Sequence, residues 1–367
     1  MKTIVINNPA AVMSGAVVIL KQFITNISIH DNTNQYIIFV SLEDLKSYES
    51  TNIAIIVIPK QDFIKRILWD NWGFKKYLKA NGILPTSIIS LQNTGLSYDY
   101  STPQFLYFHQ GLSVTDEKCN PLDKEDRQFA FYKYFYPFFI KQHLKKIKKI
   151  IVQTDWVKKG FSKKFNYSES DIIVIPPTFD KPITVKGKKI TDGVFRVFYP
   201  AGPSKYKNHL EIINAIKALE KDFPKAFEAL VCTFTFDKKE GVKLWQYIQE
   251  HGLTEKFNLI GRTTYDETIE YYQKSDSLIF PSYIETFGLP LKEAASIGLP
   301  IIAIDKPYSR DVLYTYSNVT FVGFKDAHGW ACALNECYLN QNRVNKIDTI
   351  IDDTDQSKWF DFFEFLK

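Results

Sequence analysis

Short runs of β-branched and aromatic residues alternate with longer stretches of helical period along the whole chain. In the first half, Thr3–Asn7, Tyr36–Val40, Ile53–Ile58, Ser87–Ser90, Phe105–Phe108, Ile150–Gln153 and Ile172–Ile175 read as strands. In the second half, Phe195–Tyr199, Leu230–Phe234, Phe257–Leu259, Leu278–Phe280, Ile301–Ile304 and Val319–Val322 do. Several are continuously apolar rather than alternating, which fits parallel strands covered on both faces. Strand–helix alternation on this scale predicts doubly wound α/β sheets. After Pro176 and Pro177 the pattern fails over the polar segment TFDKPITVKGKKITDG, and a strong strand follows at Phe195, so a linker is expected at about 178–193. The chain accordingly divides into domains 1–180 and 194–350 and a C-terminal segment 351–367. The last helix, from Ser357 to Lys367, carries Trp359, Phe360, Phe362, Phe363 and Phe365, which predicts two buried faces and packing back near the domain junction.

A length of 367 residues agrees with two domains. An apolar content of 45% with 24% charged residues excludes a largely disordered chain. Cys119, Cys232, Cys332 and Cys337 are scattered and the histidines do not cluster, so no zinc spacing or disulfide scaffold stands out, no metal is expected, and a reducing cytoplasm fits. No apolar run nears the ~20 residues that span a bilayer. The stretch from Ala10 to Leu20 looks superficially like a signal core, but only Lys2 precedes it and Asn7, Asn8 and Pro9 interrupt it. It reads better as a turn and a helix entered near Ser14, and the protein is expected not to be exported.

The net charge of +5 is unevenly spread: residues 1–190 hold 26 Lys and Arg against 16 Asp and Glu, net +10, and the remainder is net −5. A basic first half invites nucleic acid, an anionic membrane or a phosphorylated ligand. No nucleic-acid-binding motif accompanies the charge. The stretch FAFYKYFYPFFIKQHLKKIKK (Phe129–Lys149) suits peripheral contact with anionic lipid, which would place the protein at the inner face of the cytoplasmic membrane. It reads no less well as an internal helix whose aromatics form core and whose solvated lysines complement the helix dipole at its C-terminal end.

In open α/β sheets ligands bind beyond the carboxyl ends of the strands, so the chemistry is sought just after them. The segment SDSLIFPSYIETFGLPLKEAASIGLPIIAI is the most informative. A strand ends at Pro281, a loop carries Glu285, Phe287 and Gly288, and a helix opens with Pro290 at its first position and is capped by Gly298. The amides around Phe287 to Leu291 then form a helix N-terminus suited to a phosphate, and Gly288 lets the backbone approach a ligand. Glu285 and Glu293 stand eight apart, in the loop and about a turn into the helix. Carboxylates beside a phosphate site suit a ligand that also offers hydroxyls, as a nucleotide-sugar does. Spacing alone admits equally a solvated loop carboxylate and a favourable first-turn charge.

The run E-T-F-G-L-P-L-K-E resembles the E-x7-E element of family-four retaining glycosyltransferases. VFYPAGPSKYKNHLEIINAI, LIGRTTYDETIEYYQKSDSLIFPS, FLYFHQGLSV and IIVQTDWVKKGF resemble further segments of that family, and together they cover nearly the whole chain. The resemblance implies a GT-B fold, two Rossmann-like doubly wound domains facing a central cleft, with the acceptor side in the first and a nucleotide-sugar donor in the second. It implies no metal and no cofactor, the donor being UDP- or GDP-linked. It further implies that Glu293 holds the ribose hydroxyls, that Glu285 holds hydroxyls of the transferred sugar, and that Phe287, Gly288 and Leu289 offer amides to the sugar or diphosphate.

Lys207, in K-Y-K-N-H, matches the family lysine on the diphosphate, where a fixed cation stabilises charge building on the leaving group. The family commonly has Gly-Arg where Gly202-Pro203 stand here; Pro203 cannot replace that arginine, and Lys205 or Arg262 is the candidate substitute. His109 is similar in position to a family histidine near the anomeric carbon, implying that it positions the donor sugar. Gly15, in Ser14-Gly15-Ala16, stands where the family has two adjacent glycines and implies a backbone contact to the diphosphate. Asn93 and Thr94 line the acceptor pocket or form a structural turn, and Asp311 stands where the family has an acidic residue. The function implied is metal-independent, retaining hexosyl transfer to a glycan acceptor, lipid-linked, in O-antigen or capsule synthesis. The competing readings are a non-catalytic GT-B subunit of a glycan assembly complex, suggested by the missing arginine, and a GT-B phosphorylase or epimerase.

Overall fold

The computed structural model describes residues 1–12, 14–178, 192–341 and 354–366. The chain divides into two units, one taking the described residues up to 178 together with 354–366, the other taking 192–341. Residues 179–191 of the expected linker lie outside the described residues.

Each unit is built on one wholly parallel sheet. The first contains β1 (Thr3–Asn7), β2 (Gln35–Val40), β3 (Ile53–Val57), β4 (Ser87–Ser90), β5 (Gln104–Tyr107), β6 (Ile147–Val152) and β7 (Ile172–Val174), in the order β3-β2-β1-β4-β5-β6-β7. The second contains β8 (Phe195–Tyr199), β9 (Leu230–Phe234), β10 (Phe257–Leu259), β11 (Ser277–Phe280), β12 (Ile301–Ile304) and β13 (Val319–Val322), in the order β10-β9-β8-β11-β12-β13. This is the doubly wound α/β architecture that the alternation of runs predicts. Every residue of β4, β11 and β12 is buried, which is why β12 and the Leu278–Phe280 part of β11 read as continuous apolar runs. In each sheet the strand order reverses beside the unit's first strand, where β1 pairs with β4 and β8 pairs with β11. Loops diverge at such a point and leave room for a ligand.

The C-terminal helix, Thr354–Leu366, belongs to the first unit and packs on helix Ser14–His30. Trp359 and Phe363 meet the Phe23 ring edge-on, with centroids at 5.3 and 5.8 Å. Trp359, Phe362, Phe363 and Leu366 are buried, whereas Phe360 and Phe365 stay about half exposed. The helix thus buries one face, not the two expected from its aromatic density.

The Phe129–Lys149 stretch is not one helix. Helix Arg127–Ala130 runs through a π-turn at Phe131–Phe135 into helix Tyr136–Gln142, a 3-10 turn follows at Leu144–Lys146, and β6 begins at Ile147. Lys148 and Lys149 therefore lie on a strand, where Lys149 pairs with Asp171 at 2.7 Å, and do not complement a helix dipole. Among the described residues no helix is long and apolar enough to cross a membrane.

Candidate functional site

In the second unit the loops after β8 and β11 flank the point where the strand order reverses. Asn208 takes a left-handed backbone (φ 59°) at the start of helix His209–Asp222, and its side-chain amide donates to the Pro281 carbonyl at 3.3 Å. The Tyr283 amide donates to the Tyr206 carbonyl at 3.0 Å. These bonds tie the two loops together and bring the Lys207 ammonium to 2.5 Å from Glu285 Oε1, which also accepts from Ser282 Oγ at 2.8 Å. Burial alone would lower the Lys207 pKa, but the Glu285 carboxylate and the Tyr206 phenol hold it above the ordinary lysine value. A cation and a carboxylate from separate strand ends therefore meet at one place, as a ligand with both phosphate and hydroxyls requires.

Helix Leu289–Ser296 begins directly after Gly288, with Pro290 second in the helix rather than first. Gly288 has φ 87°, and a Cβ there would stand 3.3 Å from both Leu291 Cδ1 and Tyr308 Cε2, so the turn requires glycine. Phe287 is buried and Lys292 lies over its ring. Glu293, one turn into the helix, is also buried, and Tyr272 OH donates to its Oε2 at 2.8 Å. Burial pushes Glu293 up to about 7, against the Tyr272 bond that favours the carboxylate. Neither a solvated loop residue nor a simple first-turn charge describes these two glutamates.

The remaining residues proposed for the donor lie on the following elements. Gly202 and Lys205 are exposed in the β8 loop, and Gly202 has open space around it. Arg262 follows β10, two strands from β8 and about 10 Å away at ordinary strand spacing. Its side chain is 81% exposed and pairs with Glu240 at 2.6 Å, which disfavours it as the second diphosphate cation. Asp311 lies in helix Pro307–Val312. Gly15 is exposed in the first turn of helix Ser14–His30, in the first unit.

In the first unit His109 follows β5. Its amide donates to Asn93 Oδ1 at 2.7 Å, and its ring Nε2 lies 3.0 Å from the Leu91 carbonyl. A carbonyl only accepts, so Nε2 carries the proton and Nδ1 presents a lone pair. Burial holds the imidazole below the ordinary histidine value, the Arg66 charge acting in the same sense and the Leu91 carbonyl against both. Asn93 holds a left-handed backbone (φ 66°), and Thr94 turns inward to Asp70, so both build the seat of His109. Thr94 also lines a cavity of about 10 Å³ with Arg66, Asp70 and His143, room for one water.

Asp70 was not marked by the sequence. It is buried and accepts from Gln92 Nε2 at 2.6 Å and Thr94 Oγ1 at 2.8 Å, on either side of Asn93. Burial pushes it up to about 7 despite the Arg66 charge and these bonds. Tyr272 and Ser282, which set Glu293 and Glu285, were also missed as partners. A lone acid in the aromatic run WDNWGF, and the serine of the Pro281-Ser282 pair, are the signals that point to two of the three.

Residues 180–351 match the family described as glycosyl transferases group 1. The O-antigen chain mannosyltransferase RfbU of Salmonella typhimurium LT2 is 24% identical over 219 residues, a match that takes in 60% of this chain and 59% of that relative. Among solved structures, Anabaena HepE in complex with UDP and glucose superposes with a TM-score of 0.64 at 15% identity, over 99% of this chain and 94% of its own. WaaG, a glycosyltransferase involved in lipopolysaccharide biosynthesis, superposes with a TM-score of 0.66 at 12% identity, over 98% and 95%. The chain thus has the GT-B fold, and its second unit is similar to the glycosyl transferases group 1 family.

Proposed function

We propose that the protein is a glycosyltransferase that moves a sugar from a nucleoside-diphosphate sugar to a glycan acceptor in surface polysaccharide synthesis, with retention of anomeric configuration. The observation that carries this reading is the Lys207–Glu285 pair beside the Gly288 helix start, a cation, a carboxylate and a set of backbone amides at one strand-order reversal. Lys207 and the helix N-terminus take the diphosphate and stabilise its charge as the glycosidic bond breaks. Glu285 releases Lys207 to the phosphate and accepts sugar hydroxyls, and Glu293 accepts the ribose diol. His109 is assigned the positioning of the donor sugar by its resemblance to the family histidine.

Asp70, buried behind the seat of His109, is already engaged by Gln92 and Thr94, which disfavours it as a covalent nucleophile. The leaving diphosphate is then the base that steers the acceptor to the same face of the sugar. Because cationic stabilisation is assigned to Lys207 and amides, turnover is expected to survive a chelator. The roles of RfbU in O-antigen chain synthesis and of WaaG in lipopolysaccharide biosynthesis support an O-antigen or related polysaccharide acceptor, and we take it to be lipid-linked. Exposed apolar side chains and lysines on the first unit support peripheral contact with an anionic leaflet, which would hold the protein on the cytoplasmic side where nucleotide-sugars are made.

A metal-free thermal-shift series with UDP, GDP, ADP, CMP and dTDP tests the site. A ligand at about 100 Kd adds roughly 2.7 kcal/mol of stability, a shift of several degrees. One nucleotide stabilising wild type, with Lys207→Ala unresponsive, supports the reading and names the donor class. No response to any of them removes the donor site, and a phosphate-dependent or non-catalytic role takes its place.

A further inference from the structure

His328 and Cys332 stand four residues apart in helix Ala327–Asn340 and so leave it on one face. Cys332 Sγ is 3.5 Å from His328 Nε2. On the far side of the same ring, His328 Nδ1 is 3.0 Å from Asp222 Oδ2, at the end of helix His209–Asp222. A carboxylate only accepts, so Nδ1 carries the ring proton and Nε2 turns its lone pair to the thiol. Two helices thereby assemble a thiol, an imidazole base and an orienting carboxylate in line. The thiol and carboxylate use opposite ring nitrogens and cannot share one metal ion with the ring. Among the described residues no three His, Cys, Asp or Glu are placed to hold a metal.

Two of the other cysteines are unlike it. Burial raises the Cys232 thiol far above its ordinary value and pushes Cys337 up to about 11, so both stay protonated and inert. Cys332 is only partly buried, and His328 is 69% exposed, so a reagent in solution can reach the pair.

We propose that Cys332 is a modification site, a nucleophilic thiol that exchanges with low-molecular-weight disulfides to form a reversible mixed disulfide. As Sγ attacks one sulfur of the reagent, the thiol proton passes to His328 Nε2, and Asp222 stabilises the imidazolium through Nδ1–H. The reagent's S–S bond breaks, its electron pair leaves on the second sulfur, and that thiolate takes the proton from Nε2. One disulfide replaces another, so no outside oxidant is consumed. Asp222 lies at the opposite end of its helix from the Lys207 loop, about 20 Å away at helical rise, so this site is separate from the donor site.

The test is peptide-level mass spectrometry of the full chain incubated with oxidised glutathione at pH 7, using Cys119 as the internal reference. Cys332 is expected to react about fivefold or more faster than Cys119 in wild type. His328→Gln should remove most of that advantage and Asp222→Asn part of it, with the Cys119 rate unchanged. Both variants are surface changes, and an unaltered melting midpoint verifies that they fold. Equal rates at Cys332 and Cys119, or a Cys332 rate untouched by His328→Gln, would overturn the proposal.

Discussion

Lys207 Nζ and Glu285 Oε1 stand 2.5 Å apart, joining the loops after β8 and β11 before any donor is bound. The side chains are only 20% and 15% exposed, so removing either leaves the other's charge poorly solvated. Lys207→Ala is expected to destabilise the protein by on the order of 2 kcal/mol, short of a fully buried pair, and to abolish stabilisation by nucleoside diphosphates. Glu285→Gln should keep the nucleotide response, since the lysine remains, while transfer of the sugar falls sharply. Melting curves with and without nucleotide, beside a transfer assay, separate the two. Equal loss of nucleotide binding in both variants would contradict the division of labour assigned to the pair.

The parts of this site carried by local sequence were legible before the structure. Gly288, Pro290 and the eight-residue spacing of the glutamates encode a turn and a helix start, which depend on near neighbours. What completes the site does not. Tyr272 reaches Glu293 across 21 positions, and Asp70 reaches Thr94 across 24, and neither spacing has a periodic signature. Arg262 shows the same limit: its strand neighbours and its pairing with Glu240 are set by sheet order, which composition does not reveal. In the Phe129–Lys149 stretch only the single helix is overturned, because a π-turn and a strand start break a run that looks uniform in residue type.

Glu293 gives the second unit a pH dependence. Its folded value, about 7, lies above the ordinary 4.5, so the folded state binds the proton more tightly than the unfolded chain. Its contribution is then full at acid pH and is lost as pH rises through about 7. The loss amounts to roughly 3 kcal/mol over that window. Glu293→Gln keeps an acceptor for Tyr272 and should melt like wild type at pH 4 but higher than wild type at pH 8. The same variant should bind nucleotide more weakly, because the ribose diol favours a carboxylate. A melting difference that stays flat with pH would mean that Glu293 titrates in the fold as it does in the unfolded chain.

His109 depends on Asn93, whose side chain holds the histidine amide and whose backbone is left-handed. Asn93→Gly tolerates that backbone and removes only the hydrogen bond. It should lower turnover with a stability cost near 1 kcal/mol. Asn93→Ala adds backbone strain and should cost about 1–2 kcal/mol more at the same turnover. If the glycine variant transfers sugar at the wild-type rate, the Asn93 contact does not position His109 for the reaction. Asp70→Asn leaves one of the Gln92, Thr94 and Asn7 donors without an acceptor and should move the His109 ring resonances without any direct contact.

On the first unit, helix Phe63–Leu68 and the following π-turn present Ile64, Leu68 and Trp72 to solvent, four residues apart, with Ile64 69% and Trp72 66% exposed. Phe63 packs on Phe131 and Phe139, which sets the next helical segment alongside, and that segment exposes Phe135 and Phe138. Lys65, Lys76, Lys141 and Lys145 are exposed on the same elements or next to them. Apolar side chains of this size are costly to leave in water, and lysines beside them are worth about 1 kcal/mol each near an anionic leaflet. The protein is therefore expected to sediment with vesicles containing phosphatidylglycerol and not with pure phosphatidylcholine, and to be released by salt. Replacing Ile64, Leu68 and Trp72 together by Ser should cut partitioning at least tenfold, since each buried side chain contributes about 1.5 kcal/mol or more. The nucleotide-induced melting shift of that variant should match wild type, because the change lies in the other unit. Failure of the wild type to bind anionic vesicles would remove the membrane from this reading while leaving the donor site standing.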